Sequence, residues 1–233
     1  MKLRSVGYRS DLIFTNFDGE VFDRGDYLVV KTPVNPNYFW GNLLIFDRSP
    51  RVGDFEKWKT IFVKEFDDPR IYHLTFAWDS PEGDTGQVSE FLENGFNLDK
   101  GVVLTAQKVQ APKKMHSLVV VKPIESNQEW EDSIRVQTAC GGGTLSKQQW
   151  EGFYRSQMDR YRKMVQIGLG QWFGAFVNGK IVGGLGIFTD EEIGRYQIVG
   201  IPIFASHCFP NVSLEKIKRS AEPKKNFQGL SMK

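Results

Sequence analysis

Two apolar runs, 171–177 and 180–188, meet at Asn178-Gly179. A type I′ hairpin turn needs positive φ at both central positions, and Asn-Gly meets that need at little steric cost. Trp172, Phe173, Ala175, Phe176 and Val177 put apolar groups on both faces of the first run. That marks a central strand covered on both sides. A polar turn over 189–194 leads to a third run, 195–204. Three consecutive strands of this kind form a meander, and the rest of the chain must cover its two faces.

Upstream of the meander the chain falls into recognisable pieces. Residues 1–26 are polar and read as a lead-in arm with an edge hairpin at Asp18-Gly19. Strands are expected over 27–31, 38–46, 72–78 and 102–109. Between them Phe55, Trp58, Ile61, Phe62 and Phe66 recur at helical spacing behind Asp54, a candidate N-cap. A short helix over 87–94 is expected to stop at Gly95 in the left-handed conformation. A linker at 111–116 precedes a strand over 117–123. Ser126…Glu129 and Ser146…Gln149 are both capping-box patterns, each opening a helix. The second helix carries an apolar stripe of Trp150, Phe153, Tyr154, Met158, Tyr161 and Val165.

Strand, helix, helix and then the meander, over about 117–199, resembles the N-terminal half of the GNAT N-acetyltransferase superfamily. WFGAFVNGKIVGGLGIF, a polar turn and GRYQIV stand where that family has its second, third and fourth strands. Residues 1–110 resemble a later part of the same fold, with RSPRVGDFEKW in place of the pyrophosphate loop. A bulky Phe55 where backbone must approach phosphate marks this half as degenerate and structural. The resemblance implies an α/β protein with mixed α+β sheets, built from two related GNAT-like halves flanked by helices. The expected divisions are a degenerate domain at 1–110, a linker at 111–116, an incomplete acetyltransferase domain at 117–205 and a poorly ordered basic tail at 206–233.

By the same resemblance the chain transfers an acetyl group from acetyl-CoA to an amine. Tyr196 and Gln197, on the strand that would face the acetyl group, and Glu192, which could relay a proton, are then the catalytic candidates. Gln197, Ile198, Val199 and Gly200 would hold the cofactor, and Trp130, Trp150 and Tyr154 would line the acceptor pocket. The family pattern stops after Gln197. The segment Asn226…Gly229…Ser231 is the nearest approach to a pyrophosphate loop, and it comes late. Two readings follow: an acyltransferase, or a non-catalytic GNAT-like scaffold or binding protein, truncated or frame-shifted after about Gln197.

Composition narrows the setting. The net charge of +2 hides a tail, 206–233, of net +4, so the body carries −2 and offers no electrostatic footprint for nucleic acid. No apolar run is long enough to span a membrane, and no signal peptide opens the chain. Cys140 and Cys208 form no CxxC pair, which points to a reducing cytoplasm. His207-Cys208 lacks a third metal ligand, so no metal is expected. The expected partner is a small-molecule or peptide amine, with self-association through an open sheet edge near 198–204.

Overall fold

The computed structural model describes residues 1–36, 38–108, 117–141, 146–202 and 225–232. Contacts cluster into two units, Met1–Gln107 with Ala221–Lys233, and Lys108–Ser220.

The first unit begins with a helix, α1 (Val6–Asp18), where the sequence reads as a polar arm. Its buried positions include Gly7, Ser10 and Thr15 beside Tyr8, Ile13 and Phe14. Small and hydroxylated residues on the inner face hide the apolar stripe from a hydropathy reading. Asp18-Gly19 is not a hairpin: the Gly19 N–H donates to the Thr15 carbonyl and ends the helix. Then follow β1 (Glu20–Asp23), β2 (Tyr27–Lys31), β3 (Leu43–Phe46), α2 (Asp54–Glu65), β4 (Leu74–Trp78), α3 (Ser89–Glu93) and β5 (Asn97–Val103). The strand expected over 38–46 is shorter because Asn42, buried, ties the loop before it. Its amide donates to the carbonyls of Asn35 and Tyr38 and its oxygen accepts the Thr32 N–H.

The sheet of this unit runs β1-β2-β3-β4, then β10 (Lys225–Met232), then β5. Only β3 and β4 are parallel, paired from Leu44↔Phe76 to Phe46↔Trp78. The strand β10 lies antiparallel to β4 over Gln228–Met232 and to β5 over Lys225–Ser231. Part of the expected basic tail is therefore an interior strand of the first sheet, and residues 206–224 lie outside the described residues. The Asn226…Ser231 segment is no phosphate loop, since its backbone is committed to a ladder on both sides.

Alternation along the strands builds two cores. One face carries Val29, Leu44, Phe46, Phe76, Trp78 and Leu230 against Phe55, Trp58 and Phe62 of α2. The other carries Leu28, Val30, Leu43, Ile45 and Ala77 against Tyr8. Phe46 and Trp58 stack with centroids 3.8 Å apart. Each fully buried side chain of this kind contributes roughly 1.5–3 kcal/mol.

The second unit is one antiparallel sheet in the order of β6 (Val120–Pro123), β7 (Gly170–Val177), β8 (Lys180–Thr189) and β9 (Gly194–Gly200). Two helices, α4 (Asn127–Cys140) and α5 (Lys147–Gln166), precede the meander. Both capping boxes form: Ser126 and Ser146 accept the amides three residues on, and Glu129 and Gln149 reach back. Asn178 and Gly179 have φ of 48° and 74°, the signs a type I′ turn requires. The inner face of β7 is buried at Trp172, Gly174 and Phe176, while its other face is half-buried. No described helix is long and apolar enough to cross a membrane.

Candidate functional site

The second unit's outer strand carries the irregularity. Gly186 pairs with Gln197 and Gly184 with Gly200, so three steps on β9 face two on β8. The extra residue makes a β-bulge at Ile198–Val199. Ile198 sits at φ 45°, a left-handed conformation that a β-branched residue rarely adopts. Holding it costs on the order of 1–3 kcal/mol, which the surroundings must offset.

Two side chains pin the bulge from the helix side. Gln137, buried on α4, donates from Nε2 to the Ile198 carbonyl at 3.1 Å. A Cβ on Gly200 would lie 2.5 Å from the Gln137 amide, so a larger residue would push that side chain out of its present position. Gln197 donates to Tyr161 Oη at 2.8 Å, and Tyr161 donates to Gln157 Oε1 at 3.2 Å. Tyr161 is itself fixed, buried and stacked on Trp172 with centroids 5.4 Å apart. Among the described residues no strand pairs with the outer edge of β9. Tyr196 and Val199 are exposed.

The other expected site residues fall in three places. Glu192 is exposed in the turn before β9, where Asp190 Oδ1 accepts the backbone N–H groups of Glu192 and Ile193. It precedes Gln197 by five positions and lies before β9 begins at Gly194. Trp150 and Tyr154 stack with centroids 5.5 Å apart near the start of α5, and the Trp150 ring covers Gly141. Burial raises the Tyr154 phenol above its ordinary pKa, and Cys140 adds to the shift. The buried Trp150 indole N–H has no partner among the described residues. Trp130 lies at the other end of α4, roughly 16 Å from Gly141 by helical rise, against Trp172 and under the Arg162 guanidinium. The structure thus brings Trp150 and Tyr154 together and keeps Trp130 apart. Gln137, Gln157 and Tyr161 support the bulge and were not among the expected site residues. The signal for Gln137 and Gln157 was a glutamine on the apolar side of each helix.

The corresponding turn in the first unit, between β3 and α2, is filled by the protein's own groups. Gly53, at φ 83°, is the N-cap in place of the expected Asp54. The Arg48 guanidinium donates to both Asp54 oxygens at 2.5 and 3.1 Å, and the Arg51 amide donates to Asp54 at 2.7 Å. Burial alone would raise the Asp54 pKa, but the Arg48 and Arg51 hydrogen bonds hold it below the ordinary value. The Pro50 carbonyl accepts the Gln87 amide, and Gly86 packs against that carbonyl too closely to carry a Cβ. Phe55 is buried against Phe91. A carboxylate already holds the start of α2, so a pyrophosphate does not fit there.

Among the described residues no three His, Cys, Asp or Glu gather as a metal site, and His207-Cys208 lies outside them. The whole chain is similar to solved structures. A functionally unknown conserved protein from Staphylococcus epidermidis ATCC 12228 aligns with a TM-score of 0.64 at 14% identity, over 92% of this chain and 94% of that one. A GCN5-related N-acetyltransferase from Kribbella flavida aligns with a TM-score of 0.63 at 10% identity, over 98% of this chain and 96% of that one. The fold is that of the GCN5-related N-acetyltransferases. The likeness runs through both units, so the GNAT fold here includes the first unit with its interior β10. No family model and no curated protein matches the sequence.

Proposed function

We propose that this chain is a cytoplasmic acetyl-CoA-dependent N-acyltransferase whose second unit carries the reaction site. The observation that supports it is the bulge at Ile198, on an outer strand and pinned by Gln137 and by the Gln197–Tyr161 pair. Maintaining a β-branched residue at positive φ is a cost that a merely structural strand has no need to bear. The backbone of Gln197, Ile198, Val199 and Gly200 would hold the acyl-carrying arm, whose thioester supplies the activated acetyl group. Tyr196 and Gln197 would face the acetyl group, and Glu192 would relay a proton. Trp150 and Tyr154 on α5 would meet the amine, a small molecule or a peptide, while Trp130 packs in the core against Trp172.

A second reading has its own support. The ion pair of Arg48 and Asp54 seals the phosphate position of the first unit, as a non-catalytic scaffold would have it. Calorimetric titration of the whole chain with acetyl-CoA separates the two. Saturable binding, weakened at least tenfold by Gly200→Phe, supports the acyltransferase, and release of free thiol with a panel of amines then identifies the acceptor. A cooperatively folded chain that takes up no acetyl-CoA refutes it in favour of the scaffold.

A further inference from the structure

Gln137 holds the Ile198 carbonyl through Nε2, which leaves its Oε1 as an acceptor. That oxygen is buried and has no partner among the described residues. The same holds for the indole Nε1–H of Trp172 and for Oγ of Ser133. All three side chains are at most 1% exposed. A buried polar group without a hydrogen bond is costly, and folded interiors seldom leave one, let alone three together.

The three groups belong to one layer, between α4 and the sheet. Ser133 lies one turn before Gln137 on the same side of α4. On the sheet, Gly184 of β8 and Gly200 of β9 are directly paired. Side chains on such a pair would start about 4.5–5.5 Å apart on one face. Gln137 Oε1 is 2.5 Å from where the Cβ of Gly200 would stand, and Trp172 Nε1 is 3.2 Å from where that of Gly184 would stand. The oxygen and the nitrogen thus lie over adjacent points of the same face. Their chemistry is complementary: an indole N–H only donates, this amide oxygen accepts, and a hydroxyl does either. Yet among the described residues the indole bonds to neither the amide nor the hydroxyl. A small molecule that both accepts and donates satisfies all three.

We propose that one internal water is bound here. It accepts from Trp172 Nε1–H, donates to Gln137 Oε1 and has Ser133 Oγ as its third contact; about three hydrogen bonds are usual for a buried water. Gln137 leads on to the Ile198 carbonyl, and Trp172 stacks on Tyr161, which accepts from Gln197. The water therefore joins the two supports of the bulge into one unit. It is held whether or not acetyl-CoA binds, so its loss leaves the acyltransferase reading untouched.

Nuclear magnetic resonance on the isotope-labelled full-length chain tests the site. The Trp172 indole proton is identified by its disappearance in Trp172→Phe, and by its proximity to the Tyr161 ring should that variant fail to fold. The expected result is cross-relaxation between this proton and a water that stays far longer than surface hydration, and it persists in Ser133→Ala. No such signal in the unaltered chain overturns the proposal. A signal that vanishes in Ser133→Ala does the same, because it makes the serine hydroxyl the indole's partner. A high-resolution crystal structure of the full chain gives a second reading. Density for a water within hydrogen-bond reach of both Nε1 and Oε1 supports the site, and a direct bond between those two atoms overturns it.

Discussion

His73 is buried, with Phe39 edge-on at 4.3 Å, and its Nε2 lies 3.2 Å from the Asn42 carbonyl. Its Nδ1 has no partner among the described residues. Burial lowers its pKa from the ordinary 6.5, and the Asn42 carbonyl offsets part of that. The unfolded chain therefore takes up a proton at a higher pH than the folded one. Stability is lost as the pH falls below 6.5 toward the folded value. Denaturant titrations at pH 7.5 and 5.5 should show a drop that His73→Phe reduces; an identical drop in that variant would remove His73 as the cause. Gly200 offers a second residue-scale test. Gly200→Ala should cost about 1–3 kcal/mol by crowding the Gln137 amide. Combined with Gln137→Ala, the losses should fall short of additive by at least ~0.5 kcal/mol in a double-mutant cycle.

At the scale of elements, α4 depends on its first turn. The Glu129 carboxylate accepts from Lys122 and from the amides of Glu125 and Ser126, and these bonds lower its pKa from 4.5 to about 2. Its contribution is present above pH 4.5 and fades as the pH falls toward 2. Glu129→Gln should therefore lower the denaturation midpoint at pH 7 and lose its effect near pH 2. Ser126→Ala and Ser146→Ala should each cost about 1 kcal/mol. These two caps, the Asn178-Gly179 turn and the stripe of α2 were legible because each is a local pattern, complete within a few turns of chain. The helix α1 was not, because its buried face includes Gly7, Ser10 and Thr15. Nor was β10, whose partners β4 and β5 are more than a hundred residues away. The family resemblance drew attention to Gln197–Gly200 as cofactor-holding backbone, but neither the bulge there nor its supports were legible. Gln137 and Gln157 make contacts whose partners are set by tertiary packing.

At the scale of the molecule, the two units draw their stability from different parts of the chain. Leu230 belongs to the core of the first unit, although the whole second unit lies between it and β5 in sequence. Leu230→Ala should destabilise that unit by roughly 2–5 kcal/mol. Amide hydrogen exchange should then quicken in β4 and β5 and stay unchanged in β7 and β8; equal quickening in both sheets would mean that the units unfold together.

The placement of β10 also sets a timetable for synthesis. A ribosome that has finished Val103 must add more than a hundred residues before Leu230 exists. At about 5–20 residues per second that takes roughly 6–25 s. The described strands and helices of the second unit all come from one continuous stretch that is made before β10 exists. The part made first is the part completed last, and during that wait the facing edges of β4 and β5 stand without their shared partner.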